Sequence, residues 1–415
     1  MKFHVKTLSA LPALLVGAGL AGTTFAAQSD VLGVSVTAGV KQSDNRDLID
    51  EGKKEDQLTW YVAPTVRIRK EIADLLQLDA SYSPVYTHYE DVLPGNEKDK
   101  WEHTVRANLA YMLSPLTLLK VKENYWWSGQ KDYFYGDEYD YDPTRDDRLD
   151  NDYYQNRLNV SVKQELTEGG DYVKVGGRWR IKRYDDDERA ATNDEDEYGA
   201  RVEYMHVYSE TFACGVFADY TSWDRESASD VDLGVDYLTV GVQAQLDVSG
   251  DGDHLLYGEA GWTHVWYEAD DLDDQDSPAV KAELRLFQQQ DTQLFAGVRY
   301  GRDFSNVYPF SSQEDLAGYA SIRQYFGEDR RFSANASVEL RKRTYDAKDD
   351  VDPAAAGAYS GDYDRDSVYV RLNAKYAVTD WLSVGAFYTY EDIDSDVGAS
   401  YKENVFGANG TVTLF

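Results

Sequence analysis

Cysteine is nearly absent. Cys214 is the only one in 415 residues, so no internal disulfide can form. It shares a parity with Phe212 and Val216, which makes it a small apolar residue on one strand face and assigns it no chemistry. Beyond the N-terminus no stretch approaches the roughly 18 consecutive apolar residues of a membrane helix, so a helical span is excluded. Bases are scarce: 42 Lys and Arg stand against 75 Asp and Glu, for a formal charge of −33. Nucleic acid is excluded as a partner, because phosphate contacts need clustered bases. The six histidines are scattered, with no H-E-x-x-H, and neither G-x-S-x-G nor a Gly-rich phosphate loop occurs. No enzyme, cofactor or metal site is therefore expected.

Aromatic residues, by contrast, are abundant, and they are the amphipathic ones: 33 Tyr and 9 Trp against 14 Phe. Tyr and Trp in such excess suit a protein with two membrane interfaces. Residues 1–26 read as a secretory signal, with Lys2 and Lys6, an apolar run from Leu8 to Leu20 and a Thr24-Phe25-Ala26 cleavage site. Removing those 26 residues from 415 leaves 389, and losing the two lysines moves the formal charge to −35. Mean hydropathy is low, at −0.60. A low mean does not argue against a membrane barrel, whose signal is alternation rather than runs.

That alternation is present. From Trp101 to Trp127, Val105, Ala107, Leu109 and Tyr111 share one face, a Ser114-Pro115 break follows, and Leu119, Val121, Tyr125 and Trp127 alternate with Lys120, Lys122 and Asn124. Glu123 alone breaks the apolar stripe, near the expected membrane edge. Each strand is longer than the globular average of roughly 5 to 6 residues and meets the roughly 9 to 11 that cross a bilayer at a tilt. An isolated hairpin in lipid would leave its edges unpaired at several kcal/mol per group, so closure into a barrel is expected. A soluble sandwich or propeller is the alternative.

Eighteen such strands are predicted: 31–41, 57–70, 75–89, 101–113, 116–128, 152–166, 171–184, 197–208, 211–223, 235–248, 254–267, 277–288, 292–303, 315–326, 330–344, 366–378, 381–391 and 401–415. The fold class is all-β, a transmembrane antiparallel up-and-down barrel over residues 27–415, with no room for a second domain. Connections alternate strictly between short turns, such as Ser209-Glu210 and Thr379-Asp380, and long acidic loops, such as 129–151 and 185–196. Periplasmic turns and extracellular loops sort in this way; a soluble sandwich has no reason to. Pro64 and Pro84 fall inside predicted strands and imply a bulge or a crossing near the rim.

At YVAPTVRIRKEIADLLQLDASYSPVYTHYED (61–91) and WEHTVRANLAYMLSPLTLLKVKENY (101–125) the sequence resembles the β-barrel porin type 2 family of Gram-negative outer-membrane proteins. Shared features are a Pro-containing Arg-rich strand, a Tyr-Ser-Pro-x-Tyr strand and a Tyr-x-Leu-Ser-Pro turn. The resemblance implies an outer-membrane barrel, in some members associated with exopolysaccharide systems, and no defined substrate.

Sorted by parity, twenty bases oppose the apolar stripe, among them Arg67, Arg69, Lys120, Lys122, Arg178, Arg180, Lys182, Arg341 and Arg343; fewer acids do so, among them Asp79, Glu203, Asp219, Glu259 and Glu283. One reading is a water-filled porin whose inner basic ladder, led by Arg178, Arg180 and Lys182 with Lys120 and Lys122, favours anions such as acidic oligosaccharides. The other is that these bases pair with acids in an ordinary mixed wall. In the third long connection, Asp137, Glu138, Asp140 and Asp142 either fold inward as a constriction or stay solvated. The expected surroundings are the lipid bilayer and lipopolysaccharide of the bacterial outer membrane after Sec-type export, with small hydrophilic solutes as cargo and a homo-oligomer compatible. A structural envelope barrel and the exit barrel of a polysaccharide export system are the rival functions.

Overall fold

The computed structural model describes residues 30–45, 56–72, 75–90, 98–128, 153–167, 169–184, 194–225, 234–268, 274–304, 312–345, 363–395 and 400–414. They form eighteen strands: β1 (Asp30–Ser43), β2 (Gln57–Ile72), β3 (Leu76–Tyr89), β4 (Asp99–Ser114), β5 (Thr117–Ser128), β6 (Tyr153–Glu165), β7 (Tyr172–Tyr184), β8 (Glu195–Ser209), β9 (Phe212–Arg225), β10 (Val235–Asp247), β11 (Leu255–Tyr267), β12 (Gln275–Leu286), β13 (Thr292–Phe304), β14 (Ser312–Phe326), β15 (Phe332–Tyr345), β16 (Tyr363–Ala377), β17 (Leu382–Ser395) and β18 (Tyr401–Thr413). Each pairs antiparallel with its sequence neighbours, and β1 pairs with both β2 and β18. The sheet is therefore closed and no edge is left unpaired. No described helix is long and apolar enough to cross a membrane, which leaves crossing by strands untouched.

Period-two alternation decides the two faces. On β10, Val240, Val242 and Leu246 are exposed, while Tyr237 and Gln243, of the opposite parity, are buried. The same holds on β15, where Val338 and Leu340 are exposed and Arg343 and Tyr345, of the opposite parity, are buried. An exposed apolar outer surface with polar groups inside inverts the soluble plan, and it is the arrangement a lipid solvent selects.

Pro64 and Pro84 behave differently from the expectation of a bulge. The β2–β3 register is the same on both sides of them, from Val62↔Tyr86 to Val66↔Tyr82, so the two prolines face each other across one gap in the ladder. A strand residue points its N–H and C=O to the same side. Placing both prolines at one opposed position confines the missing donors to a single rung, and their other neighbours, Val36 and His103, stay in register. On the inner face Thr65 Oγ1 and Ser83 Oγ, 2.9 Å apart, bridge the gap.

The short connections are built by side chains that cap backbone N–H groups. In the β10–β11 turn, Asp247 Oδ1 accepts from the N–H groups of Ser249 (3.1 Å) and Gly250 (2.9 Å), and Oδ2 from that of Gly252 (2.7 Å). Gly250 and Gly252 have φ of 80° and 82°, a region that an L side chain enters only with strain. Asp253 then accepts from Gln289 N (2.8 Å) and Gln290 Nε2 (2.9 Å), fastening this turn to the β12–β13 turn. The Asp251-Gly-Asp253 run is thus a turn, with its carboxylates aimed at amides. In the β6–β7 connection Asp171 caps Val207 N at 2.8 Å, and this N–H, followed by the His206 ring, holds its carboxyl below the ordinary carboxylate range.

Toward the long connections the inner face turns aromatic. Trp223, Val235, Tyr237 and Val265 form one buried cluster, Ile393 and Tyr401 a second, and Tyr61, Ala63 and Val85 a third. Together they form an aromatic collar in the long-connection half of the barrel wall.

Candidate functional site

The lumen holds a cavity of about 1590 Å³, walled by β4 through β14. Its polar lining carries twelve Lys and Arg and eight Asp and Glu, among residues brought together from eleven strands. Of the nine bases singled out from sequence, Lys120, Lys122, Arg178 and Arg180 line this cavity. The nine differ in electrostatic situation.

Arg67 and Arg69 share Asp79 near the short-connection end of β2 and β3, at side-chain exposures of 50% and 58%. Arg178 is held by Glu197 at 3.1 Å and Asp219 at 2.9 Å. Arg180, only 5% exposed, is clamped by Glu197 at 2.9 Å with Glu195 at 3.7 Å. Lys182 lies over the rings of Tyr153 (4.6 Å) and Tyr184 (4.9 Å), a cation–π placement. Arg341 and Arg343 converge on Asp315, which also holds Arg299 at 3.1 Å. Six of the nine are therefore ion-paired, with Asp79 serving two of them and Asp315 serving Arg341 and Arg343 together with Arg299.

Lys120 and Lys122 are the exceptions. Both line the cavity and both are exposed to it. Among the described residues neither has an ion pair, a hydrogen bond or a ring contact. Their in-register neighbours are Ala110 and Ser161 for Lys120, and Asn108 and Asn159 for Lys122. Among the described residues no acid sits beside them, so their charge remains available to the water of the lumen. Arg323 and Lys375, toward the short-connection ends of β14 and β16, are likewise exposed and unpaired among the described residues.

Parity reasoning missed the acids that make the difference. Glu195 and Glu197 open β8, on the same face as Arg201 and Glu203. Asp315 lies on the inner face of β14 with Tyr319 and Arg323. Each sits at or before the first residue of the strand drawn from sequence, which is where the strand merges into an acidic loop and parity is least secure. Glu195 alone needed a strand extended by two residues; Glu197 and Asp315 were already the first residues of theirs. Asp137, Glu138, Asp140 and Asp142 lie outside the described residues, as do residues 1–26.

No protein-family model and no curated protein matches the chain. Among solved structures it is similar to OpdQ of Pseudomonas aeruginosa, at 10% identity over 93% of this chain and 98% of that one, with a TM-score of 0.45. It is similar also to OccK2 (OpdF) of the same organism, at 14% identity, 93% and 100% coverage and a TM-score of 0.46. A third is the FrpB iron transporter of Neisseria meningitidis, at 10% identity, 90% and 63% coverage and a TM-score of 0.48. Likenesses this distant carry no weight on what passes through the barrel. The resemblance to the β-barrel porin type 2 family rests on the motifs at 61–91 and 101–125, and the barrel it implies is present.

Chemically, this wall does two things. Its paired portion, β7–β9 and β12–β15, is an ion-pair lattice that fixes side chains at the cost of their free charge. Arg201 illustrates it, bridging Glu259 at 2.5 Å, Glu203 at 3.3 Å and Asp219 at 3.6 Å across β8, β9 and β11. Its unpaired portion, the inner face of β5, presents positive charge to solvent. Among the described residues no group of His, Cys, Asp and Glu is placed to hold a metal ion.

Proposed function

We propose that the chain is an outer-membrane porin, a passive water-filled channel for small hydrophilic solutes with a preference for anions. The observation that carries this reading is the polar cavity of about 1590 Å³ inside a closed eighteen-strand barrel whose outer surface is apolar. Barrels of roughly 16 to 18 strands are wide enough to hold an aqueous channel. The anion preference rests on Lys120 and Lys122, supported by Arg323 and Lys375, rather than on the arginines of β7 and β15. Export through a signal ending at Ala26, a bilayer around the wall and lipopolysaccharide at the acidic long connections complete the reading.

The aromatic collar favours a second reading, a structural barrel that conducts nothing: Trp223, Val265, Tyr345, Ile393 and Tyr401 are each at most 1% exposed. Liposome swelling separates the two. Vesicles carrying the refolded mature chain are expected to swell in an isotonic pentose, and faster in the potassium salt of a small monocarboxylate. Vesicles that shrink and hold in both, although the barrel is folded by its heat-modifiable mobility, favour the structural reading.

A further inference from the structure

Register carries a basic face across five strands of the lumen wall. Lys122 on β5 is level with Asn108, Asp79 and Arg69 on β4, β3 and β2, and with Asn159 on β6. The next row of the same face, two residues nearer the long connections, reads Arg67, Ser81, Arg106, Asn124 and Arg157 from β2 to β6. The row on the other side holds Lys120 between Ala110 and Ser161. Strands stand about 4.8 Å apart and alternate residues about 7 Å apart, so these six bases share a patch of roughly 20 by 14 Å. Among the described residues the acids on it are Asp79 and, at a corner, Glu71, level with Gln77. Asn108, Asn124 and Asn159 fill gaps between the bases, and each side-chain amide offers two N–H donors.

The patch lies toward one mouth. Lys120 and Lys122 are the fourth and sixth residues of β5 counted from its short connection. Among the described residues the other exposed bases on strand faces of this parity, Arg285, Arg323 and Lys375, also fall within four residues of a short connection. At the long-connection end the bases are buried: Arg180, Arg343 and Arg365 are each at most 5% exposed. Beyond them the long connections carry 37 Asp and Glu against 9 Lys and Arg. An anion thus meets repulsion at one end of the barrel and an attracting wall at the other.

We propose that the inner wall of β2–β6 binds a multiply charged anion, one carrying three or more phosphate or carboxylate groups, that enters from the short-connection mouth. The inference deepens the anion-channel reading and rests on it for access through water. A monovalent anion meets one base at a time and passes. An anion with several linked charges engages its second and third bases at the high effective concentration that the linkage provides. Neighbouring bases here stand roughly 7 to 10 Å apart at their Cα atoms, a gap that Lys and Arg side chains close to the span of an oligophosphate. The arginines offer forked donors to paired oxygens and the lysines point charges. Asp79 does not cancel the patch, since one carboxylate serves both Arg67 and Arg69.

Titration calorimetry on the refolded chain in detergent micelles tests binding without requiring conduction. Tripolyphosphate is expected to bind at least ten-fold tighter than orthophosphate; citrate, run beside it, separates the carboxylate from the phosphate form of the ligand. Lys120→Gln with Lys122→Gln should weaken tripolyphosphate at least five-fold. Lys281→Gln with Arg285→Gln, an equal loss of charge from the β12 side of the same cavity, should weaken it less than two-fold. Equal weakening by the two double variants, or no preference for tripolyphosphate over orthophosphate, overturns the proposal. In planar bilayers tripolyphosphate should block current at a concentration at least ten-fold lower from the short-connection side, marked in a Cys214→Ala background by Asp380→Cys and a membrane-impermeant maleimide. Equal block from both sides, or stronger block from the other, overturns it as well. A chain that binds tripolyphosphate as expected but passes no current overturns the channel reading alone.

Discussion

Changing Lys120 and Lys122 together to glutamate is expected to convert an anion-preferring channel into a cation-preferring one. The exchange alters the lumen charge by four units on a face that holds no acid. In water a unit charge at about 6 Å is worth ~0.7 kcal/mol, so the undamped effect is about 2 to 3 kcal/mol. Salt at about 0.1 M screens over roughly 10 Å and reduces this, leaving a several-fold swing in the permeability ratio. Removing both members of one pair, as Arg178→Gln with Asp219→Asn, is expected to move selectivity little, because the two charges offset each other. Reversal potentials of the two variants in the same salt gradient decide the matter. If the Arg178→Gln, Asp219→Asn chain shifts selectivity more than the lysine pair does, the assignment of the free charge is wrong.

The second large effect falls on stability. Asp315 is the common acceptor of Arg341, Arg299 and, at 4.0 Å, Arg343. Its side chain is 7% exposed, and those of Arg341 and Arg343 are 8% and 4% exposed. Asp315→Ala leaves three guanidinium groups facing one another with the shared carboxylate gone. Breaking a buried pair in this way costs about 3 to 5 kcal/mol, and lumen water places the expected loss near the lower figure. Asp79→Ala is the contrast, because Arg67 and Arg69 are half exposed and such pairs are worth about 1 kcal/mol or less. Urea midpoints followed by heat-modifiable mobility should drop markedly for Asp315→Ala and barely for Asp79→Ala. Equal midpoints would mean that the lattice is solvated throughout.

The barrel was legible because membrane strands obey a strict local rule. The alternation in Leu238-Thr239-Val240-Gly241-Val242 needs no partner to be read, and the sorting of connections into short and long supplied the closure. The number of strands follows from that rule alone. What alternation does not contain is distance. Arg178 and Lys122 have the same parity and the same charge, and they sit opposite one another through Asn159. Only the three-dimensional wall shows that Arg178 reaches Asp219 two strands on, whereas Lys122 has asparagines on both sides. Pro64 and Pro84 make the same point. Each looked like a defect in its own strand, and pairing them in one rung is a property of the register between strands. Glu123 was visible as an exception, and among the described strands it is the one outward charge outside the first and last four residues.

The central claim is a water-filled lumen whose free charge is positive inside a chain of formal charge −33. Planar-bilayer recording of the refolded wild-type chain in a KCl gradient tests it most directly. Stable conductance steps with a reversal potential on the chloride side are expected. Stable steps on the potassium side would contradict the positive lumen, and an absence of steps from folded, inserted protein would contradict the channel.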